Sequence, residues 1–257
     1  IAYTPGVAEP CRAISKDKNE VYNYTWKGNT IAVVTDGTAV LGLGDIGPEA
    51  SLPVMEGKCI LLKEFGDVNA VPICLDTKDT EEIIAICKAI APTFGGINLE
   101  DISAPRCVEI ERRLIEELDI PVFHDDQHGT AIVVTAALIN SMKLVNKKPE
   151  ELKVIVSRTG AAGSTIIRML LKLGIKEIYG FNINGTIIKE DASKYDFLTK
   201  ELSEIVNPYS KRTTLAEEIV GSDVFIGVSA PKILTKEMVL SMNKNAIVFA
   251  MANPEPE

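Results

Sequence analysis

The chain has 257 residues, 46% hydrophobic and 25% charged, which suits one large folded domain or two ordinary ones and excludes disordered, collagen-like and mucin-like chains. Its 27 Lys and Arg against 36 Asp and Glu leave a net charge of −9, with a pI of about 5.0. An acidic chain without a basic run lacks the clustered cations that nucleic acids and anionic membranes attract.

Tyr3-Thr4-Pro5-Gly6 predicts a turn with an aromatic hydroxyl beside it; taken alone, Tyr3 reads as a packed tyrosine. A Val-rich run predicts a strand over 31–35. Gly42-Leu43-Gly44-Asp45-Ile46-Gly47 then matches the G-x-G-x-x-G pattern of a dinucleotide loop. A pyrophosphate site works through free backbone N–H groups at positive potential, and Asp45 opposes that. The stretch is therefore read as a plain turn. Residues 51–65 follow a helical period in which Val54, Met55, Leu61, Leu62 and Phe65 share one stripe. Lys58 falls inside it. Desolvation there favours a neutral amine, able to act as a general base near neutral pH, unless a carboxylate compensates the charge. The other reading is a packed stem with the ammonium reaching water.

A strand over 71–75 and a helix over 80–90 lead to Gly95-Gly96-Ile97-Asn98-Leu99, which ends in Glu100-Asp101. After a helix over 106–118, a strand over 121–124 ends in Asp125-Asp126. Both acidic pairs are expected where a strand gives way to a loop, the edge at which open parallel sheets bind ligands. Several carboxylates meeting there repel one another without a cation, and oxygen-only ligands select Mg²⁺ or Mn²⁺. Capping of the following helices is the alternative. His124 and His128 bracket the second pair, but a zinc site of that spacing needs a helix, and a strand followed by a turn at Gly129 is expected instead. The next helix is expected over 130–144, with an apolar part, 130–142, too short to span a bilayer.

Asn146-Lys147-Lys148-Pro149 is the strongest polar break, yet the helix before it is expected to pack on the following sheet, so the domain boundary is placed at Gly129. A strand over 153–156 leads into Ser157-Arg158-Thr159-Gly160-Ala161-Ala162-Gly163 and an apolar-periodic helix over 161–173. Asn182, after a strand over 177–181, stands 22 residues beyond Gly160, the reach to a ribose-binding side chain. The unit suits a dinucleotide site better than its alternative, an ordinary α/β crossover without a nucleotide. Further strands are expected over 223–228 and 246–251. Strands alternating with helices throughout predict βαβ units and parallel sheets. Five scattered cysteines (Cys11, Cys59, Cys74, Cys87, Cys107) without CxxC spacing read as reduced thiols of a cytosolic protein. No signal peptide is visible, but the chain starts at Ile1 without Met and stops at Pro254-Glu255-Pro256-Glu257, as a fragment would, which leaves open a targeting segment outside it.

Together these stretches resemble the malic enzymes, the small bacterial and archaeal type in particular. The likeness rests on residues 2–8 (AYTPGVA), 35–47 (TDGTAVLGLGDIG), 53–58 (PVMEGK), 95–101 (GGINLED), 124–131 (HDDQHGTA), 227–231 (GVSAP) and 252–254 (ANP). It implies an α/β protein: an N-terminal α/β substrate and metal domain over 1–129, then a Rossmann-like doubly wound parallel-sheet domain over 130–257, stopping before the family's C-terminal segment. It implies metal-dependent oxidative decarboxylation of L-malate to pyruvate and CO₂ with reduction of NAD or NADP. Lys58 would be the general base and Tyr3 the general acid, with Asp125 near the lysine. Glu100, Asp101 and Asp126 would hold Mg²⁺ or Mn²⁺. Thr130, Thr159, Gly160, Ala161, Ala162, Gly163, Asn182, Val228, Ser229, Ala230 and Asn253 would face the cofactor or substrate. The resemblance also implies a cytoplasmic homodimer whose N-terminal segment crosses to the partner. Arg158 and Asn182 depart from the glycine and the acid usual in the family. Two other functions fit the same residues: a malolactic-type or other 2-oxo-acid decarboxylase on this scaffold, and a non-catalytic sensing relative, suggested by Arg158.

Overall fold

A computed structural model describes residues 3–253 and 255–257. Ala2 and Pro254, members of the motifs above, lie outside the described residues. The chain divides into two compact units, Ile1–Ile102 with Glu109–His124, and Ser103–Val108 with Asp125–Glu257.

The first unit holds strands β1 (Thr30–Thr35), β2 (Asn69–Cys74), β3 (Gly96–Leu99) and β4 (Val122–His124), all parallel, in the order β2-β1-β3-β4. Helices α1 (Ala8–Lys16) and α2 (Val21–Tyr24) precede the sheet; α3 (Pro48–Gly66), α4 (Thr80–Ile90) and α5 (Arg106–Glu117) connect its strands. Ala32, Val33 and Val34 of central β1 are all fully buried. Such a continuous apolar run, rather than an alternating one, marks a parallel strand covered on both faces. Pro48 starts α3 with its φ already helical, and Asp67 ends it in the left-handed region at φ 51°. Asp79 caps α4 by accepting from the Glu82 N–H.

The second unit begins with α6 (Asp125–Val145) and holds β5 (Lys153–Ser157), β6 (Glu177–Asn182), β7 (Gly185–Thr186), β8 (Val224–Gly227) and β9 (Ile247–Ala250), in the order β7-β6-β5-β8-β9. All neighbours are parallel except β7, which turns back antiparallel on β6. Helix α7 (Ala161–Lys172) links β5 to β6; α8 (Phe197–Ser203), α9 (Leu215–Glu218) and α10 (Lys236–Ser241) follow. The core joins α6 to α7 and the sheet through Leu138, Val154, Ile166, Leu170, Val224 and Ile226.

Several expectations are corrected. On α3, Met55 is buried but Val54, Leu61 and Phe65 are exposed, Phe65 by 84%. Apolar residues ring most of this helix, so its period could not say which stripe faces the sheet; the inward stripe runs through Ser51, Met55, Lys58 and Leu62. No loop or turn follows the strand that ends in Asp125-Asp126. β4 passes directly into α6, and the two acids occupy its first turn, where the helix dipole favours them. Gly129 lies inside that helix, and a Cβ there would overlap the Asp125 carboxylate. His128 is therefore helical while His124 ends a strand, so the two histidines do not share a helix. The apolar segment 130–142 belongs to a 21-residue helix that is long and apolar enough to cross a membrane by length and composition. Its Ala131, Val134, Leu138 and Met142 are instead spent on the core. Tyr3 is 80% exposed rather than packed. The two-residue β7 and the helices before β1 are not among the elements expected from the sequence.

Asp223 ties the second sheet together. Its carboxylate accepts from Lys147 Nζ at 2.7 Å, the Lys153 N–H at 2.9 Å and Asn243 Nδ2 at 3.0 Å. Burial alone would raise its pKa, but these donors outweigh it and hold the carboxyl below its ordinary value. A depressed folded pKa means stability that is present above the unfolded value and lost as pH falls through the folded one. Asp223→Ala is expected to cost roughly 2 kcal/mol at neutral pH. In urea melts the deficit should shrink as pH drops below about 3.9.

Candidate active site

In the first sheet the chain steps from β1 to β2 on one side and then to β3 on the other. Strand order reverses between β1 and β3, which opens a crevice at their carboxyl ends. Glu100 emerges there, its N–H donating to the Val34 carbonyl at 2.9 Å. The pairing of Leu99 with His124 brings Asp125 and Asp126 out at the same end. Glu100 is 5% exposed. Its Oε1 lies 3.0 Å from Lys58 Nζ, and its Oε2 accepts from Asn98 Nδ2 at 2.8 Å. A buried carboxylate is costly without such partners. Lys58 points from α3 toward the sheet, where Glu100 is a carboxylate that compensates its charge.

Consecutive strand residues face opposite ways. Asp101 escapes that rule by adopting φ 53°, and its carbonyl accepts from the Ala39 N–H at 2.9 Å. One carboxylate oxygen each from Glu100, Asp101 and Asp126 lie within 4.8 Å of one another. Three anionic oxygens so placed, with no nitrogen or sulfur in the set, fit a hard divalent cation. Tyr3 is not part of this buried cluster. Asp125 rests its carboxylate against Gly129 in the first turn of α6, and Thr130 is one residue further along that helix.

Two supporting residues, Asn98 and Glu111, are not among those the sequence singles out. Asn98 holds Glu100 from the same face of β3, and its i, i+2 spacing on a strand was the available signal. Glu111 of α5, itself buried, accepts the His124 N–H at 2.8 Å and so anchors the end of β4. No local pattern announces that contact.

The second sheet repeats the arrangement, with its reversal between β5 and β8. Gly160 caps α7 and supplies no side-chain acceptor, so the first-turn N–H groups are open to an anion. A Cβ at Gly163 would overlap the Arg158 carbonyl oxygen, which is the close helix-to-strand approach a dinucleotide fingerprint demands. At Gly160 the nearest atom to such a Cβ is Arg158 Nε, at 4.0 Å. Arg158 is exposed and sits at φ 66° where a glycine would be relaxed. Thr159 is buried, its hydroxyl 3.4 Å from the Phe181 carbonyl. Asn182 ends β6 and spends its Oδ1 on the Asn184 N–H at 2.8 Å, which leaves its amide N–H groups to meet a ligand. Val228, Ser229 and Ala230 follow β8, and Asn253 follows β9, exposed. The residues present fit a nicotinamide dinucleotide.

Two family models match the chain: "Malic enzyme, N-terminal domain" over residues 1–115 and "Malic enzyme, NAD binding domain" over residues 127–257. The chain belongs to the malic enzyme family. Among similar family members is the NAD-dependent malic enzyme of Geobacillus stearothermophilus, 59% identical over 99% of this chain and 53% of that protein. A bifunctional malic/malolactic enzyme of Bacillus subtilis (strain 168) is 54% identical over 100% of this chain and 63% of that protein. The chain thus spans less than two thirds of either relative. The crystal structure of an NAD-dependent malic enzyme from Thermotoga maritima superposes with a TM-score of 0.97 at 50% identity, covering 99% of this chain and 68% of that one. The fold of this malic enzyme chain is therefore the family's own: an α/β protein with parallel sheets and a Rossmann-like NAD-binding domain.

Arg158 carries a conformational cost in that domain, since a left-handed backbone disfavours a side chain by about 1–2 kcal/mol. Glycine recovers this but loses some through its freer unfolded chain. Arg158→Gly is expected to raise unfolding free energy by up to about 1 kcal/mol. Urea denaturation monitored by circular dichroism checks it.

Proposed function

We propose that the protein oxidatively decarboxylates L-malate to pyruvate and CO₂ while reducing NAD or NADP. The observation that carries this reading is the lysine–carboxylate cluster: Lys58 Nζ 3.0 Å from Glu100, whose oxygens gather with those of Asp101 and Asp126. Glu100, Asp101 and Asp126 would hold Mg²⁺ or Mn²⁺, which when bound supplies Lewis acidity toward the oxygens of a 2-hydroxy acid. The loop of Thr159, Gly160, Ala161, Ala162 and Gly163 would bind the cofactor pyrophosphate, and Asn182 the ribose. Thr130, Val228, Ser229, Ala230 and Asn253 would line the rest of the cofactor and substrate path.

With a divalent cation on the carboxylates, Lys58 would no longer be needed as the partner of Glu100, and in its neutral form, with Asp125 near it, would take the C2 hydroxyl proton as hydride leaves C2. Departure of CO₂ from the resulting 2-oxo acid then yields an enolate. Tyr3 supplies the proton that makes this pyruvate. The exposure of Tyr3 supports a role toward a second copy of the chain rather than within its own. Self-association is supported by α3 as well, whose Ile60, Leu61 and Phe65 are exposed. We take the protein to be a homodimer acting on small molecules alone, in the cytoplasm, where its five cysteines, none in a disulfide, suit a reducing compartment.

Absorbance of reduced nicotinamide, followed with L-malate and Mn²⁺, tests the reading. Net reduction abolished by a chelator is the expected result. Lys58→Ala should lower turnover roughly 10³-fold, as loss of a general base does, while cofactor binding stays intact. Ordinary turnover in that variant would remove Lys58 from its role. Similarity to the bifunctional relative supports a second reading, malolactic conversion. Lactate formed without net reduction would identify it, and silence of the full chain in both assays would favour a sensing relative.

A further inference from the structure

The second unit buries four carboxylates that the chemistry proposed above does not use, and three of them, Asp191, Glu218 and Asp223, each pair with a Lys or Arg. Glu257 is 9% exposed, and no cation pairs with it among the described residues. Both of its oxygens are nevertheless occupied. Oε1 accepts from the Ser229 N–H at 2.7 Å and the Ser229 hydroxyl at 3.3 Å; Oε2 accepts from the Ala252 N–H at 2.9 Å. The side chain lies against Gly227, where an added Cβ would stand 2.6 Å from Oε2.

The surrounding contacts converge on the same place. The Met251 N–H donates to the Gly227 carbonyl at 3.1 Å, and the Lys232 N–H to the Pro256 carbonyl at 3.1 Å. Lys232 Nζ pairs with Glu255 at 2.8 Å. The Ser229 and Ser157 hydroxyls are 2.9 Å apart, which joins this assembly to the turn between β5 and α7. Backbone N–H groups that meet a carboxylate form short bonds, stronger than those between neutral partners. Glu257 therefore fastens the chain leaving β8 to the chain leaving β9.

In a doubly wound sheet the pyrophosphate crosses at the switch point, and the two halves of a dinucleotide lie on either side of it. Asn182, ending β6, marks the adenosine side. The β8 and β9 side is left for nicotinamide, and Glu257 touches only that side.

We propose that Glu257 is a positioning residue for the nicotinamide half of the cofactor, holding Ser229 and the Ala252-Asn253 backbone in register through its two carboxylate oxygens. The proposal rests on the cofactor reading above. Glu257→Gln keeps the shape but offers one acceptor where two are used, so one N–H faces an amide donor. In the full chain, fluorescence titration with NADH or NADPH, whichever the wild type binds, should show affinity reduced about tenfold. ADP-ribose, which lacks the nicotinamide, should bind within a factor of about two of wild type. Gly227→Ala, which displaces Glu257 without changing its chemistry, should give the same selective loss.

Unchanged NADH affinity in Glu257→Gln overturns the proposal. So does equal weakening of both ligands, or failure of either variant to fold and bind ADP-ribose, because each makes Glu257 a general structural residue. A wild type that binds neither dinucleotide nor ADP-ribose refutes the cofactor reading itself, and the proposal with it.

Discussion

Mutual repulsion among carboxylates governs the carboxyl edge of the first sheet. Glu100, Asp101 and Asp126 bring oxygens within 4.8 Å of each other, and two of the three residues are buried. Such a group persists only if positive charge is supplied nearby. Lys58 supplies it to Glu100 from α3, and Asn98 adds a neutral donor on the other oxygen. Much of the first unit can be understood as the means of bringing these groups to one spot. The strand register aligns the ends of β3 and β4, the left-handed backbone at Asp101 breaks the alternation of the strand, and α3 turns its cation-bearing stripe inward.

The second unit meets the opposite electrostatic need. At its reversal point it presents unfilled N–H groups, with Gly160 at the start of α7 leaving them uncovered. Arg158 adds a positive side chain beside them at the cost of an unfavourable backbone angle. One topological rule thus serves both units: a crevice opens where strand order reverses, acidic in the first unit and electropositive in the second.

How far the site could be read from sequence depended on whether its chemistry was local. Gly160 and Gly163 follow a strand and open a helix, so their spacing alone carried the dinucleotide reading despite Arg158. The acidic pairs were visible because each ends an apolar run. The decoy at Gly42 to Gly47 was legible for a physical reason too: Asp45 opposes an anion, and in the fold it pairs with Lys78 in a turn held by a Val40–Gly44 bridge. What stayed hidden was long-range. Glu111 reaches the His124 N–H across a whole connection, and Glu257 reaches Ser229 from 28 residues away. The period of α3 does not fix its inward face, because its apolar residues outnumber the positions the sheet can cover. The start of α6 was misplaced because Gly129 resembles a stop, whereas the first-turn aspartates before it begin the helix.

The small size of β7 bears on the protein's behaviour at high concentration. An open sheet ends in unsatisfied backbone groups that invite other chains to add on. Here β7 offers only Gly185 and Thr186 at one margin of its sheet, and β9 at the other margin has four residues. In the first sheet, β4 has three residues and β2 carries Pro72, which has no N–H to donate. All four margins are thus blunted, so the two sheets are poor templates for fibrous stacking through their edges.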